Sequence, residues 1–223
     1  MSSPTLNRPL VAFQFASFRN LPVRHAMSGR VPAAPQEGTT GHGRDTDSAL
    51  VEANRRAFLR ASGVCPSDLT IALQTHSTHV AVVTTVHRGR GLFPAFDGLP
   101  ATDGMVTNDE SVALGTVVAD CTPLVLYDRR AHALGVVHAG WRGSVGLIGQ
   151  RALEELRRAF GSDPADVVAG IGPSIGPCCY EVGDEVIEHW AGQGVRDGKR
   201  AVIRRGTSYH FDLWNANRLA LID

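Results

Sequence analysis

Three apolar runs crowd into one short stretch of this chain, at residues 111–118, 123–127 and 132–138, and an amphipathic segment follows them at once. A strand with one wet face alternates apolar and polar residues. These runs are nearly continuous in apolar character, so the sheet they build must be covered on both faces. The segment after them offers the cover: Val145, Ile148, Ala152, Leu156 and Ala159 recur three or four apart, the stripe of a helix lying on a core. Ser144 stands where an N-cap belongs and Gly161 where a helix stops. A sheet buried on two faces, with helices that each carry one apolar stripe, predicts an α/β layered domain.

The rest of the chain fits that class. Residues 47–61 place Leu50, Ala53, Ala57 and Phe58 at helical spacing, with an Asp-Ser start and Gly63 as the stop. Residues 69–73 and 80–86 are rich in β-branched side chains and read as strands, as does the apolar run 167–171. Helices are expected over 183–190 and from near Asp212. Residues 27–46, rich in Gly, Pro, Ser and Thr, are expected to form a flexible loop or lid. With 223 residues and 43% hydrophobic content the chain can bury one sizeable core, and residues 1–223 are read as a single domain.

Charge and cysteine usage narrow the function classes. The formal net charge is zero, so no general pull toward nucleic acid or anionic membrane is expected, and a small substrate fits better. Residues 1–9 lack an apolar leader region, and no window approaches the roughly 18 apolar residues of a membrane helix. A soluble cytoplasmic protein, monomer or small homo-oligomer, is the expectation. Four cysteines are few for this length, and the adjacent pair Cys178-Cys179 is poor disulfide geometry, so reduced thiols are expected, with that pair structural or pocket-lining.

Three strand endings carry metal-binding side chains: His76 after the 69–73 strand, Cys121 before 123–127, and His138 at the end of 132–138. Two imidazoles and a thiolate suit Zn²⁺, and three protein ligands leave the fourth tetrahedral position open, as in catalytic sites. Their separations, 45 and 17 residues by subtraction, match no zinc-finger spacing, so the fold must assemble them. His79 competes with His76. Residues three apart on a strand face opposite ways, so both cannot reach one ion unless the chain turns there. Ser77 offers a hydroxyl to substrate. The turn from Gly140 to Ser144, through Arg142 and Gly143, presents backbone N–H groups suited to phosphate, and Trp141 reads as a packing anchor.

The strings Gln74-Thr75-His76-Ser77, Asp103-Gly104-Met105-Val106-Thr107, Ala119-Asp120-Cys121-Thr122-Pro123, His138-Ala139-Gly140-Trp141-Arg142-Gly143, Gly172 through Gly183 and Asp212-Leu213-Trp214-Asn215-Ala216-Asn217-Arg218 occur in this order. In them the chain resembles the YfiH family, also called the laccase-domain or polyphenol oxidase family. The resemblance implies an α/β/α sandwich with a mixed sheet, akin to the catalytic domain of cytotoxic necrotising factor toxins, and a zinc ion on His76, Cys121 and His138. It also implies phosphorolysis of adenosine, inosine, guanosine and methylthioadenosine to base and sugar 1-phosphate, with adenosine deamination as a second activity. Asn54-Arg55 matches a helical Asn-Arg pair of the family, making Arg55 a candidate substrate contact. For deamination, Asp120 and Asp103 are the candidate carboxylates that move protons. The family's early Ser-Leu-Asn-Leu-Gly stretch has no counterpart between Pro32 and Arg44. The resemblance ends at Asp223, short of the family's strand carrying Cys-Thr and Phe-Ser-Tyr-Arg-Arg.

Three other readings remain open. A copper polyphenol oxidase follows from the family's older name, but several copper ions would need imidazole-rich ligation that nine histidines without a His-x-His pair barely supply. A cysteine hydrolase would use Cys121 as nucleophile and His138 as base, by analogy with the toxin fold. A non-catalytic binding domain would leave these side chains as buried relics.

Overall fold

The computed structural model describes residues 12–31, 35–42, 45–93 and 97–223. Short strands β1 (Ala12–Phe13) and β2 (Met27–Ser28) pair ahead of helix α1 (Ser48–Ser62). There follow β3 (Leu69–Ile71), β4 (Val80–Val82), β5 (Gly104–Thr107), β6 (Ala113–Gly115), β7 (Thr122–Asp128) and β8 (Leu134–Ala139). Helices α2 (Trp141–Val145) and α3 (Ile148–Phe160) lead to β9 (Val167–Ile171). The chain closes with β10 (Glu181–Val182), α4 (Asp184–Gly192), β11 (Val202–Arg205), β12 (Ser208–Phe211) and α5 (Leu213–Ile222). The fold is mixed α/β. Residues 1–9 lie outside the described residues, as do 32–34 and 43–44 of the expected loop; its described part includes β2 and a 3₁₀ turn, Pro35–Gly38.

The main sheet runs β4-β5-β8-β7-β9, with β4 and β5 parallel and the other pairs antiparallel. One face packs on α3: Val106, Leu124, Leu126 and Val137 meet Ile148, Ala152 and Leu156 in one buried cluster. On the other face Pro123, Val125, Tyr127, Leu134 and Val136 line a cavity of about 730 Å³, closed from across by residues of α1 and β6. A second cluster joins Val186 and Trp190 of α4, Phe211 of β12, and Leu213 and Ala216 of α5 around the β10-β12-β11 sheet. Among the described residues no helix is long and apolar enough to cross a membrane.

Local chemistry explains the elements and their departures from expectation. Asp47 caps α1 by accepting from the Ala49 N–H at 2.8 Å, and Gly63 ends it in the left-handed conformation at φ 65°. The helix expected to begin at Ser144 is instead two helices. Ser144 lies inside α2, where its hydroxyl accepts from Asn217 Nδ2 at 2.8 Å rather than capping anything. The break falls at Gly146 and Leu147: a Cβ on Gly146 would collide with Thr78 Cγ2, and Leu147 adopts φ 57°. The strand expected over 111–118 is paired only at β6, because Gln74 takes over the next residues, accepting from the Val117 N–H at 2.9 Å and donating to its carbonyl at 2.8 Å. The strand expected over 80–86 ends at Val82 and gives way to a 3₁₀ turn, Thr85–His87.

Candidate metal centre

Sheet register brings the site together at one end of the main sheet. Thr122 pairs with Ala139 and Pro123 with His138, so Cys121, just before β7, faces Gly140, just after β8. Gly104 pairs with Val137, and the His138 N–H donates to the Asp103 carbonyl at 2.7 Å, so the residue before β5 sits beside the imidazole. Parallel β4 starts at the same end, with Val80 opposite Gly104, and the segment before it carries His76. The chain turns there: His76 has φ 59°, and residues 74–79 are not a strand. The alternation argument against His79 therefore does not apply, although His79 is directed elsewhere, its Nδ1 lying 3.2 Å from Thr102 Oγ1.

One ligand atom each from His76, Cys121 and His138 lies within 4.8 Å of the others, the one group of three or more such residues among the described residues. Cys121 Sγ is 3.8 Å from His76 Nε2, and the two imidazole rings meet edge-on with centroids 4.9 Å apart. Asp103 organises this cluster. Its Oδ1 accepts from His138 Nδ1 at 2.8 Å and the His76 N–H at 3.0 Å; its Oδ2 accepts from the N–H groups of Thr75 and Ser77 and from the Ser77 hydroxyl. With Nδ1 engaged, His138 turns Nε2 toward the cluster, the carboxylate–imidazole arrangement that orients metal-binding histidines.

Gly140 is the tightest constraint on the space between the ligands. A Cβ there would lie 2.9 Å from Cys121 Sγ and 3.0 Å from His76 Cδ2. Two imidazoles and a thiol converging on a pocket kept open by a missing side chain fit a borderline-soft divalent ion. Burial pushes the Cys121 thiol up, and the charges of Asp120 and Asp103 add to this. Such a thiol is a poor free nucleophile but a ready ligand once a cation offsets those charges. Burial lowers the His138 pKa, against the hydrogen bond and charge of Asp103, and neutral imidazole is the form that binds metal.

The other expected site residues are placed unevenly. Asp103 is buried with both carboxylate oxygens engaged, which suits positioning rather than proton transfer. Burial works to raise its pKa, but the bonds from His138, Ser77 and the Thr75 amide outweigh burial and hold the carboxyl below its ordinary range. Ser77 spends its hydroxyl on Asp103 Oδ2 at 2.7 Å. Asp120 is exposed beside Cys121, and its carbonyl accepts from the Ile175 N–H at 2.9 Å. Arg142 is exposed, its guanidinium stacked 4.2 Å over the Trp141 ring. Gly143 is buried in α2. Arg55 is not drawn to the cluster: it is buried in α1 and donates to the carbonyls of Thr40, Gly91 and Leu92. Tyr180, which the sequence reading did not single out, borders the site. Burial raises its pKa first, with Cys121 and Asp120 raising it further and Arg142 opposing.

The family model described as multi-copper polyphenol oxidoreductase laccase matches residues 28–223. The chain is 37% identical over 198 residues, 88% of its length and 71% of the relative's, to purine nucleoside phosphorylase YlmD of Bacillus subtilis. It is 38% identical over 178 residues, 79% of its length and 68% of the relative's, to adenosine deaminase RL5 from an unknown prokaryotic organism. The crystal structure of the Bacillus licheniformis hypothetical protein YfiH superposes with a TM-score of 0.80 at 32% identity, covering 83% of this chain and 70% of that one. The chain therefore belongs to the YfiH family, that of the laccase-type multi-copper polyphenol oxidoreductase model.

Proposed function

We propose that this protein is a zinc-dependent purine nucleoside phosphorylase, converting adenosine, inosine, guanosine and methylthioadenosine to base and sugar 1-phosphate, with adenosine deamination as a second activity. The carrying observation is the convergence of His76, Cys121 and His138 within 4.8 Å around side-chain-free Gly140. Relatives named purine nucleoside phosphorylase and adenosine deaminase support the substrate class. A copper oxidase of the multi-copper kind needs several imidazole-rich sites, and the described residues bring together one such cluster. The wider reading is a single α/β/α sandwich of the necrotising-factor type, working in the cytoplasm as a monomer or small homo-oligomer.

His76, Cys121 and His138 would hold the ion, which when bound supplies Lewis acidity and an open coordination position. The remaining work belongs to the chain. Asp103 fixes the His138 ring through Nδ1 and is itself held by the 75–77 amides. Phosphate sits between the Arg142 guanidinium and the amides at the start of α2, while Gly143 lets that turn pack closely against Ile148. A phosphate oxygen attacks the anomeric carbon as the glycosidic C–N bond breaks and the purine leaves. Held reactants need little further ordering, which supplies much of the rate. For deamination the proton-moving role falls to Asp120, which is exposed and next to Cys121 in the chain.

Purified protein should contain zinc and convert inosine and phosphate to hypoxanthine and ribose 1-phosphate, and Cys121→Ala should lose both properties. Retention of both by the variant would overturn the assignment. Adenosine separates the activities, since adenine reports phosphorolysis and inosine reports deamination.

A further inference from the structure

The loop between β9 and β10 carries Cys178 and Cys179, both exposed free thiols whose Sγ atoms lie 3.1 Å apart. Neighbouring residues of an extended chain point to opposite sides, so this approach needs a turn. The turn is built at Gly176, whose carbonyl accepts the N–H groups of both Cys179 and Tyr180, at 3.0 and 3.1 Å. Arg205, at the end of β11, donates to the Cys178 carbonyl at 3.2 Å and sets a guanidinium beside the pair, opposing the rise that the neighbouring Cys178 sulfur imposes on the Cys179 thiol. Both thiols are exposed, so packing in a core does not account for them.

We propose that Cys178 and Cys179 form a redox-active vicinal dithiol, a modification site that closes to a disulfide by exchange with a low-molecular-weight disulfide and thereby slows turnover at the adjoining cluster. The Cys178 thiolate attacks one sulfur of the small disulfide, whose S–S bond breaks and releases one thiolate. The Cys179 thiolate then attacks the Cys178 sulfur of the mixed disulfide and releases the second. The protein gives up two electrons and two protons, and the small disulfide leaves as two thiols. Consecutive Cα atoms are about 3.8 Å apart, short of the ~4.4–6.8 Å of ordinary disulfides, so the closed ring is strained and readily reduced.

Closure reaches the site through Tyr180. Its N–H is bound in the same Gly176 turn and its carbonyl accepts from the Phe211 N–H at 3.0 Å, while its phenol feels Cys121 and Arg142. The Ile175 N–H ties the loop to the Asp120 carbonyl, next to Cys121. Drawing the sulfurs together by about an ångström to bonding distance turns the 178–179 peptide and moves the residue that follows it. This effect on turnover rests on the phosphorylase reading; the dithiol itself does not.

The full chain is equilibrated with oxidised and reduced glutathione in graded ratios, then mapped by peptide mass and assayed on inosine. The peptide holding Cys178 and Cys179 should lose the mass of two hydrogens with no glutathione added, and dithiothreitol should reverse it. Turnover should fall about tenfold or more on closure, the scale of loss that ångström displacements at a site produce. Cys179→Ser should stop at the mixed disulfide on Cys178, and the double variant C178S/C179S should work at the reduced wild-type rate and ignore oxidised glutathione. Failure of the peptide to lose two hydrogens at any ratio, or stable glutathione adducts on the wild-type pair, overturns the dithiol. Closure without a change in turnover overturns the coupling. Closure in a protein inactive on every purine nucleoside would instead sink the phosphorylase reading and leave the dithiol standing.

Discussion

At the scale of single residues, Gly140 and Asp103 decide whether three scattered side chains can act as one site. Gly140→Ala puts a methyl 2.9 Å from Cys121 Sγ and 3.0 Å from His76 Cδ2, inside contact distance, so one of the two must move. Zinc affinity should fall by about 10–100-fold, as for other changes that disturb ligand placement, while the far-ultraviolet circular dichroism stays that of wild type. Competition with a chelating dye measures it, and unchanged affinity would show that Gly140 does not shape the centre. The pH dependence of the metal-free protein reads His138 and Asp103 in separate windows. Burial lowers the folded His138 pKa beneath the ordinary 6.5, so the unfolded chain takes the proton first; its contribution is complete above 6.5 and is lost as pH falls from there. Asp103, held beneath its ordinary 3.8, contributes fully above that value and loses the contribution as pH falls through the lower folded value. Urea midpoints should therefore decline twice on acidification, and a rise below pH 6.5 would contradict the His138 environment. The convergence of His76, Cys121 and His138 was legible in the sequence because all three stand at the ends of apolar strands that one sheet can bring together, and each lies in a string shared with the YfiH family. Tyr180 was not, since a half-buried tyrosine in a loop looks the same whether it borders a site or only a core.

At the scale of elements, helix ends and strand register were legible to different degrees. Asp47, Gly63, Gly161 and Asp212 mark helix boundaries by backbone chemistry that is local, so reading them needs no tertiary knowledge. The break between α2 and α3 depends on Thr78 lying against Gly146, a contact between distant segments that no window contains. Strand β5 was missed as a strand because Gly104–Thr107 is too short to show a period, and the hairpin of β11 and β12 because its outer residues, Arg204 and Arg205, are polar. Two glycines with open space around a would-be Cβ separate conformation from packing. Gly161 has φ 71° with nothing within 4 Å, so Gly161→Ala should destabilise by about 1 kcal/mol through the left-handed backbone alone. Gly192, also without neighbours within 4 Å, ends α4 in an ordinary helical conformation, so Gly192→Ala should stabilise by about 0.5 kcal/mol. Urea unfolding of the two variants should give opposite signs; the same sign for both would mean that the Gly161 turn relaxes out of the left-handed region.

At the scale of the whole molecule, the candidate centre stands where three segments far apart in sequence meet at one end of the sheet. His76 precedes β4, Cys121 precedes β7 and His138 lies in β8, so an ion held by all three would cross-link one end of the sheet directly. Such an ion binds the folded protein far better than the unfolded chain, and stability must then rise with its free concentration by mass action. At a free zinc concentration about 100 times the dissociation constant, the gain should be roughly 2.7 kcal/mol, removed by a chelator. His76→Ala is the informative variant because His76 is exposed: cutting it should leave the metal-free protein near wild-type stability while abolishing most of the zinc-dependent gain. His138→Ala would confuse the two effects, since it strips the buried Asp103 carboxylate of its imidazole donor. Urea unfolding of wild type and His76→Ala, each with zinc and with chelator, closes the cycle. A wild-type protein whose midpoint ignores zinc, or a variant that keeps the full gain, would show that the three side chains do not hold the ion together.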